Sequence, residues 1–221
     1  MNWIERLPEI KGRDLYAQNS EGLILEYIWH NLSPNNKVTS MFDIGAGDGF
    51  ILSNSRHLSN LGFPVRRFDK SNGQFLTCEN LFECIKHEWL IPSIVSIDID
   101  GNDYWILDKF LTTLPSLFTT PKGLQTLPKV IIAEFNASYT DSRTIAYNPD
   151  HVWAGDSYYG FTFEAGVKLA EKHGYKVIFQ IADMNMIMVR KDLIEGLYIP
   201  PVTYKQSTFF KMSERTDWVT I

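Results

Sequence analysis

Cysteine is scarce in this chain, with Cys78 and Cys84 the whole complement. Neither belongs to a CxxC pair or to a Cys/His set at zinc spacing, which excludes a disulfide scaffold and a structural zinc site. Two thiols packed as small apolar groups in a reducing compartment, the cytoplasm, is the expectation. No run approaches the roughly 18 apolar residues of a membrane span. Glu5, Arg6 and Glu9 fall where a secretory signal would need an unbroken apolar stretch. Basic clusters are missing too. The 21 Lys and Arg are scattered against 26 Asp and Glu, and a net charge of -5 would repel a phosphate backbone, so nucleic acid and anionic membrane are not expected partners. There is no internal repeat and no low-complexity tract. With 44% hydrophobic and 21% charged residues, neither disorder nor a coiled coil fits, and 221 residues suit one large domain.

Short apolar runs alternate with amphipathic stretches from about residue 39 to residue 190. That alternation predicts an α/β fold: a doubly wound, mostly parallel, Rossmann-like sheet of seven strands with helices on both faces. Strands are expected over 39–44, 64–69, 75–78, 94–99, 129–135, 176–181 and 184–189, most of them nearly continuous in apolar residues. Helices are expected over 21–31, 50–60, 79–89, 104–111 and 162–173. The last two strands are joined only through Ala182 and Asp183, too short a link for a crossover helix, so that final pair must be antiparallel. Two segments, 112–128 and 136–157, resist the pattern, and loops of that length inside a domain are often functional. The tail after Lys191 is expected to wrap the surface or belong to an interface.

Ser40-Met41-Phe42-Asp43-Ile44-Gly45-Ala46-Gly47-Asp48-Gly49 is a strand running into a glycine-rich turn. Glycines there admit positive φ and close approach of a ligand. The P-loop reading fails for want of GxxxxGK[ST], and the dinucleotide fingerprint would need a glycine where Phe50 stands. An acid two residues before a GxGxG turn instead resembles motif I of class I S-adenosylmethionine-dependent methyltransferases. Asp69 closes the second strand about 20 residues on, where a carboxylate can accept from ribose hydroxyls.

Ser96-Ile97-Asp98-Ile99-Asp100-Gly101-Asn102-Asp103 ends another strand. Asp98 and Asp100 are two apart and face alike, as do Glu134 and Asn136 at the end of the next strand. Burying paired acids without a ligand is costly. Asp103 by itself fits a helix cap or first-turn acid equally well. IDIDGND resembles the D-x-[DE]-G-x-[DE] motif of FkbM-like methyltransferases, which O-methylate sugars and secondary metabolites. The likeness is carried at Asp98, Asp100, Gly101 and Asp103 and extends from about Met41 to Arg190. The interval from Asp69 to Ile94 is short for such an enzyme.

The resemblance implies a single methyltransferase domain with a helical cap over 1–35, a catalytic core over 36–191 and a tail over 192–221. It implies S-adenosylmethionine held by Asp43, Gly45, Ala46, Gly47, Asp69 and Asp98, and a small-molecule or glycan acceptor, a sugar hydroxyl first among them. An alcohol needs a base or a Lewis acid to become a nucleophile. Asp98, Asp100 and His151 are the candidate bases. Asp100, Glu134 and Asn136, beside Asp98, are the candidate oxygen ligands of Mg²⁺ or a similar hard cation. Trp153, Tyr158 and Tyr159 suit either a wall against a sugar ring or simple packing of their loop. A cofactor-binding scaffold without turnover and an O-methyltransferase of a small metabolite stand as alternatives. The sequence leaves the oligomeric state open.

Overall fold

The structure, a computed structural model, describes residues 1–12, 14–33, 40–88, 91–117 and 127–221. Helix α1 (Glu21–Leu32) precedes strand β1 (Ser40–Ile44), and the chain continues through α2 (Arg56–Asn60), β2 (Val65–Phe68), α3 (Leu81–Ile85), β3 (Pro92–Ile97), α4 (Asp103–Leu117) and β4 (Val130–Glu134). It closes with β5 (Arg143–Ile145), α5 (Phe163–Lys172), β6 (Tyr175–Ile181), β7 (Asn185–Arg190) and β8 (Trp218–Thr220).

The main sheet has the order β2-β1-β3-β4-β7-β6. β1, β2, β3 and β4 run parallel, while β7 pairs antiparallel with both β4 and β6. An antiparallel strand inserted next to the last is the Rossmann-like topology of methyltransferases. The β6–β7 link is a tight turn with Ala182 and Asp183 at φ 51° and 52°, whose twist matches the strands it joins. Alternate residues of each strand feed opposite layers. Met41, Ile94, Ile132 and Ile187 pack against Ile24, Leu25 and Ile28 of α1, Leu58 of α2 and Ile4 and Leu7 of the N-terminal segment. Phe42, Val95, Ile131 and Met188 pack against Leu81 and Ile85 of α3, Leu107 and Phe110 of α4 and Leu169 of α5. Helices on both faces, and the final antiparallel pair, are as the sequence predicts.

The strand count is a correction: among the described residues the main sheet has six strands, because 75–78 is not one of them. Its backbone is claimed by side chains instead. Asn80 donates to the Phe75 carbonyl (2.8 Å) and accepts from the Thr77 amide (2.7 Å), and Tyr147 Oη accepts from the Cys78 amide (3.0 Å). The helix expected over 50–60 begins only at Arg56, since Asp48 Oδ1 accepts from the amides of Phe50 (2.7 Å) and Ile51 (3.0 Å), and Ser53 donates to the Tyr16 carbonyl (2.7 Å). The helix expected over 79–89 is shorter, and the one over 104–111 longer, taking in the start of the expected 112–128 loop. Thr39, Trp89 and 118–126 lie outside the described residues. The tail does wrap the surface: β8 pairs antiparallel with β5, inside the second irregular segment.

Candidate functional site

The strand order reverses between β1 and β3, and in such sheets the crevice outside the carboxyl ends of those strands is where ligands bind. The glycine turn follows β1 there. Gly45 donates to the Phe68 carbonyl of β2 (2.9 Å), and the Asp98 amide donates to the Ile44 carbonyl (2.9 Å), so the ladder carries both segments to the same level. Gly45 has φ +90°, and a Cβ on it would lie 1.7 Å from the Asp98 carbonyl oxygen. Only glycine lets the turn touch the acid-bearing segment in this way. Ala46 is buried and its carbonyl accepts from Gly49 (2.8 Å). Asp69 follows β2 and caps a short turn, its Oδ1 accepting from the Ser71 amide (2.7 Å), while Ser71 Oγ donates to the Gly47 carbonyl (2.8 Å). Asp69 is thereby tied to the glycine turn.

Asp43 lies one layer lower. Its carboxyl is buried and pushed up by that burial, with hydrogen bonds from Ser55 and Ser96 opposing the rise. Asp43 Oδ2 and, on the neighbouring β2 residue in register, Arg67 Nε and Nη2 are buried without hydrogen-bond partners.

The acid segment after β3 turns sharply at Asp100, a non-glycine residue at φ +54°. Asp103, the first residue of α4, holds this turn shut by accepting from the amides of Ile99 and Gly101, both at 2.8 Å. Burial pushes its carboxyl up to about 6 despite those bonds. Its part is to cap and shape the turn. Asp98, Asp100 and Glu134 each place a carboxylate oxygen within 4.8 Å of the others. Burial, then the charges of Asp103, Asp100 and Asp43, push the Asp98 carboxyl up to about 8. Burial and then Asp98 raise Glu134 well above the ordinary range, and burial raises Asp100. Glu134 Oε2 is buried without a partner. Without a cation, burial and mutual repulsion both disfavour ionising Asp98 and Glu134 together.

The Asn136 side chain is engaged by the second loop. Its amide donates to the carbonyls of Ser157 (2.9 Å) and Tyr159 (3.0 Å) and its Oδ1 accepts from the Ser138 amide (3.0 Å). It braces that loop, since a fully buried amide must satisfy both its ends.

His151 is brought to the acid turn. Asn102 donates to the Asn148 carbonyl (2.7 Å) and accepts from the Asn148 amide (3.1 Å), pinning the loop beside Gly101. A Cβ on Gly101 would lie 2.6 Å from His151 Cδ2. Burial, then the Arg215 charge, hold the His151 imidazole below its ordinary value, and Nε2 is buried without a partner. Tyr158 and Tyr159 are almost fully buried and pack their loop. Burial raises the Tyr159 phenol, followed by Glu134, Asp100 and Asp98, which marks its place beside the acids.

Several residues here carry no sequence signal. Glu21 is fully buried at the start of α1 and accepts from the Asn19 amide (2.7 Å) and from Asn185 Nδ2 (3.2 Å). Asn185 stands opposite Glu134 in the β4–β7 register. Asn102 was visible only as an unassigned letter within IDIDGND. Among the described residues no helix is long and apolar enough to cross a membrane.

No protein-family model matches the sequence, and no curated protein matches it. Among solved structures, the chain is similar to an O-methyltransferase family protein from Burkholderia thailandensis, at 13% identity and a TM-score of 0.34. That likeness covers 77% of this chain and 48% of the other, so the chain spans about half the length of the protein it matches.

Proposed function

We propose that this chain is an S-adenosylmethionine-dependent O-methyltransferase acting on a hydroxyl, first of all a sugar hydroxyl of a glycan or glycoconjugate. The observation that carries the reading is the contact of the Gly45 turn with the Asp98 backbone, which sets a glycine cradle at the switch point of the sheet against an acid cluster of buried Glu134 and half-buried Asp98 and Asp100. Gly45, Ala46 and Gly47 would lie under the methionine part of the cofactor, with Asp69 toward its ribose. Gly47 suits this, since nothing lies within 4 Å of where its Cβ would be. The sugar acceptor is supported by the FkbM-like IDIDGND residues alone.

Bound S-adenosylmethionine supplies an electrophilic methyl group for an in-line displacement. The protein's own task is alignment and removal of one proton. His151 suits the base: burial and the Arg215 charge favour its neutral imidazole, and Nε2 has no hydrogen-bond partner. Asp98 and Asp100 are the alternative bases and the groups that would orient the hydroxyl. The donor set also fits a hard divalent cation such as Mg²⁺, because Asp98, Asp100 and Glu134 offer only oxygen and Glu134 keeps one oxygen buried without a partner. Such a cation would acidify a hydroxyl held against it.

Calorimetry with S-adenosylhomocysteine tests the cofactor. Saturable one-to-one binding is expected, and its absence at high protein concentration would end this reading. Mass spectrometry after incubation with S-adenosylmethionine and separate panels of saccharides and small hydroxylated metabolites then distinguishes the two acceptor classes.

A further inference from the structure

The chain carries a second concave surface that methyl transfer does not use. A groove of about 450 Å³ lies over the β5–β8 pair, lined by Tyr139, Arg143, Ser213, Arg215, Thr216 and Trp218 among others. We infer that this groove binds a neutral oligosaccharide, the extended part of the acceptor chain, and so holds a glycan at a distance from the reacting hydroxyl.

Three features of the groove support that chemistry. Its floor is aromatic: Trp218 meets Tyr139 and Tyr158, each at 4.9 Å between ring centroids, and Tyr139 and Trp218 are half-exposed. Arg143 lies over both rings, 4.6 Å from the Tyr139 centroid and 5.4 Å from the Trp218 centroid, so a sugar would meet the ring surface that the guanidinium leaves exposed. Both cations of the groove are already neutralised. Arg143 pairs with Asp141, and Arg215 donates to Asp217 at 2.6 and 3.0 Å. Each carboxylate cancels the charge that would draw in an anion, whereas the donors and acceptors the pair has left still suit the hydroxyls of a neutral polyol. The hydroxyls of Ser213, Thr216 and Thr220 complete a lining rich in neutral hydrogen-bonding groups.

The groove is also connected to the candidate site. His151 and Tyr158 are 5.9 Å apart between ring centroids, so two ring contacts separate the candidate base from Trp218. Arg215 stacks over Tyr158 at 4.0 Å and is also the charge that, after burial, holds the His151 imidazole down. Ser157 ties the same elements together: its Oγ accepts from the Ser213 amide (2.9 Å) and bonds Tyr139 Oη (2.8 Å). A ligand on Trp218 therefore sits on the loop that carries His151. Its place as acceptor chain rests on the proposed function, whereas the binding itself does not.

The test uses the full chain and named probes: maltopentaose, cellopentaose, mannopentaose and xylopentaose as neutral oligosaccharides, and a sulfated heparin pentasaccharide as the anionic control. Binding to the wild type is read from the indole ¹H–¹⁵N resonance of Trp218, assigned with Trp218→Phe, and binding to the variants is read by calorimetry. At least one neutral probe is expected to move that resonance saturably, and Trp218→Ala to weaken binding at least tenfold. Thr216→Trp, at an exposed position, blocks the groove without removing a packed side chain and is expected to do the same. S-adenosylhomocysteine affinity should stay unchanged in both. The inference is overturned if no neutral probe shifts the resonance, if the sulfated probe binds more tightly, or if binding survives Thr216→Trp. Failure of S-adenosylhomocysteine to bind the wild-type chain would overturn the cofactor reading and leave this result standing.

Discussion

A carboxyl pair that resists losing its last proton makes the stability of this chain run against the usual acid-denaturation trend. In the unfolded chain, Asp98 and Glu134 titrate near 4. In the folded chain, burial and mutual repulsion raise Asp98 to about 8 and Glu134 well above its ordinary range. Between about pH 5 and pH 8 the native state therefore binds at least one proton more than the unfolded state, and raising the pH favours unfolding. Each excess proton is worth about 1.4 kcal/mol per pH unit, so the interval from pH 5.5 to 7.5 costs about 3 kcal/mol. For a domain of this size that is roughly 6–12 °C in melting temperature. Thermal melts at constant ionic strength in EDTA measure it. The Asp98→Asn/Glu134→Gln double variant should lose most of the slope, because both groups are then neutral at every pH. Millimolar Mg²⁺ should flatten the slope from the alkaline side by favouring the ionised cluster. A melting temperature that is flat or rises across this window, or a slope that persists in the double variant, would refute the electrostatic account of the site.

Three other outcomes follow from the geometry. Gly45→Ala sets a methyl 1.7 Å from the Asp98 carbonyl oxygen at φ +90°, and should destabilise the fold by several kcal/mol and weaken S-adenosylhomocysteine binding at least a hundredfold, read by chemical denaturation and calorimetry. Asn102→Ala removes the reciprocal bond to Asn148 and frees the His151 loop, so methyl transfer should fall while cofactor affinity holds, at a stability cost of about 1–3 kcal/mol. His151→Ala should lower turnover by about a hundredfold to ten-thousandfold. In the wild type the acid limb of the pH–rate profile should fall below the ordinary histidine value of 6.5, because burial and Arg215 disfavour the imidazolium.

Most of the sheet was legible because most of its strands are nearly continuous in apolar residues, and the Ala182–Asp183 link allowed only a hairpin. The glycine turn and the acids at the strand ends were legible for a related reason: such residues are expensive in a buried setting unless something uses them. What stayed hidden was settled by side chains reaching across the fold. Thr77 and Asn80 have the composition of any turn, yet they take the hydrogen bonds a strand at 75–78 would have needed. Asn136 has the spacing of a ligand, and only the tertiary position of Ser157 and Tyr159 turns its amide elsewhere. Glu21 and Asn185 lie far apart in the chain and meet because α1 and β7 both begin at the carboxyl edge of the parallel strands.

The pairing of β5 with β8 also bears on the order of assembly. The β6–β7 hairpin closes over a two-residue turn and can form early, on the microsecond scale of hairpins. β5 must wait for a strand that follows α5, β6 and β7 in the chain, and contacts of that separation form late because loop closure precedes any return. The sheet with its glycine cradle can thus exist before the His151 loop is clamped. Hydrogen exchange should show the amides of β5 and β8 opening as one unit, well below the free energy that protects β1, β3 and β4. In kinetic terms, the half of the molecule that would hold the cofactor matures first, and the half that would receive the acceptor stays the easier to open.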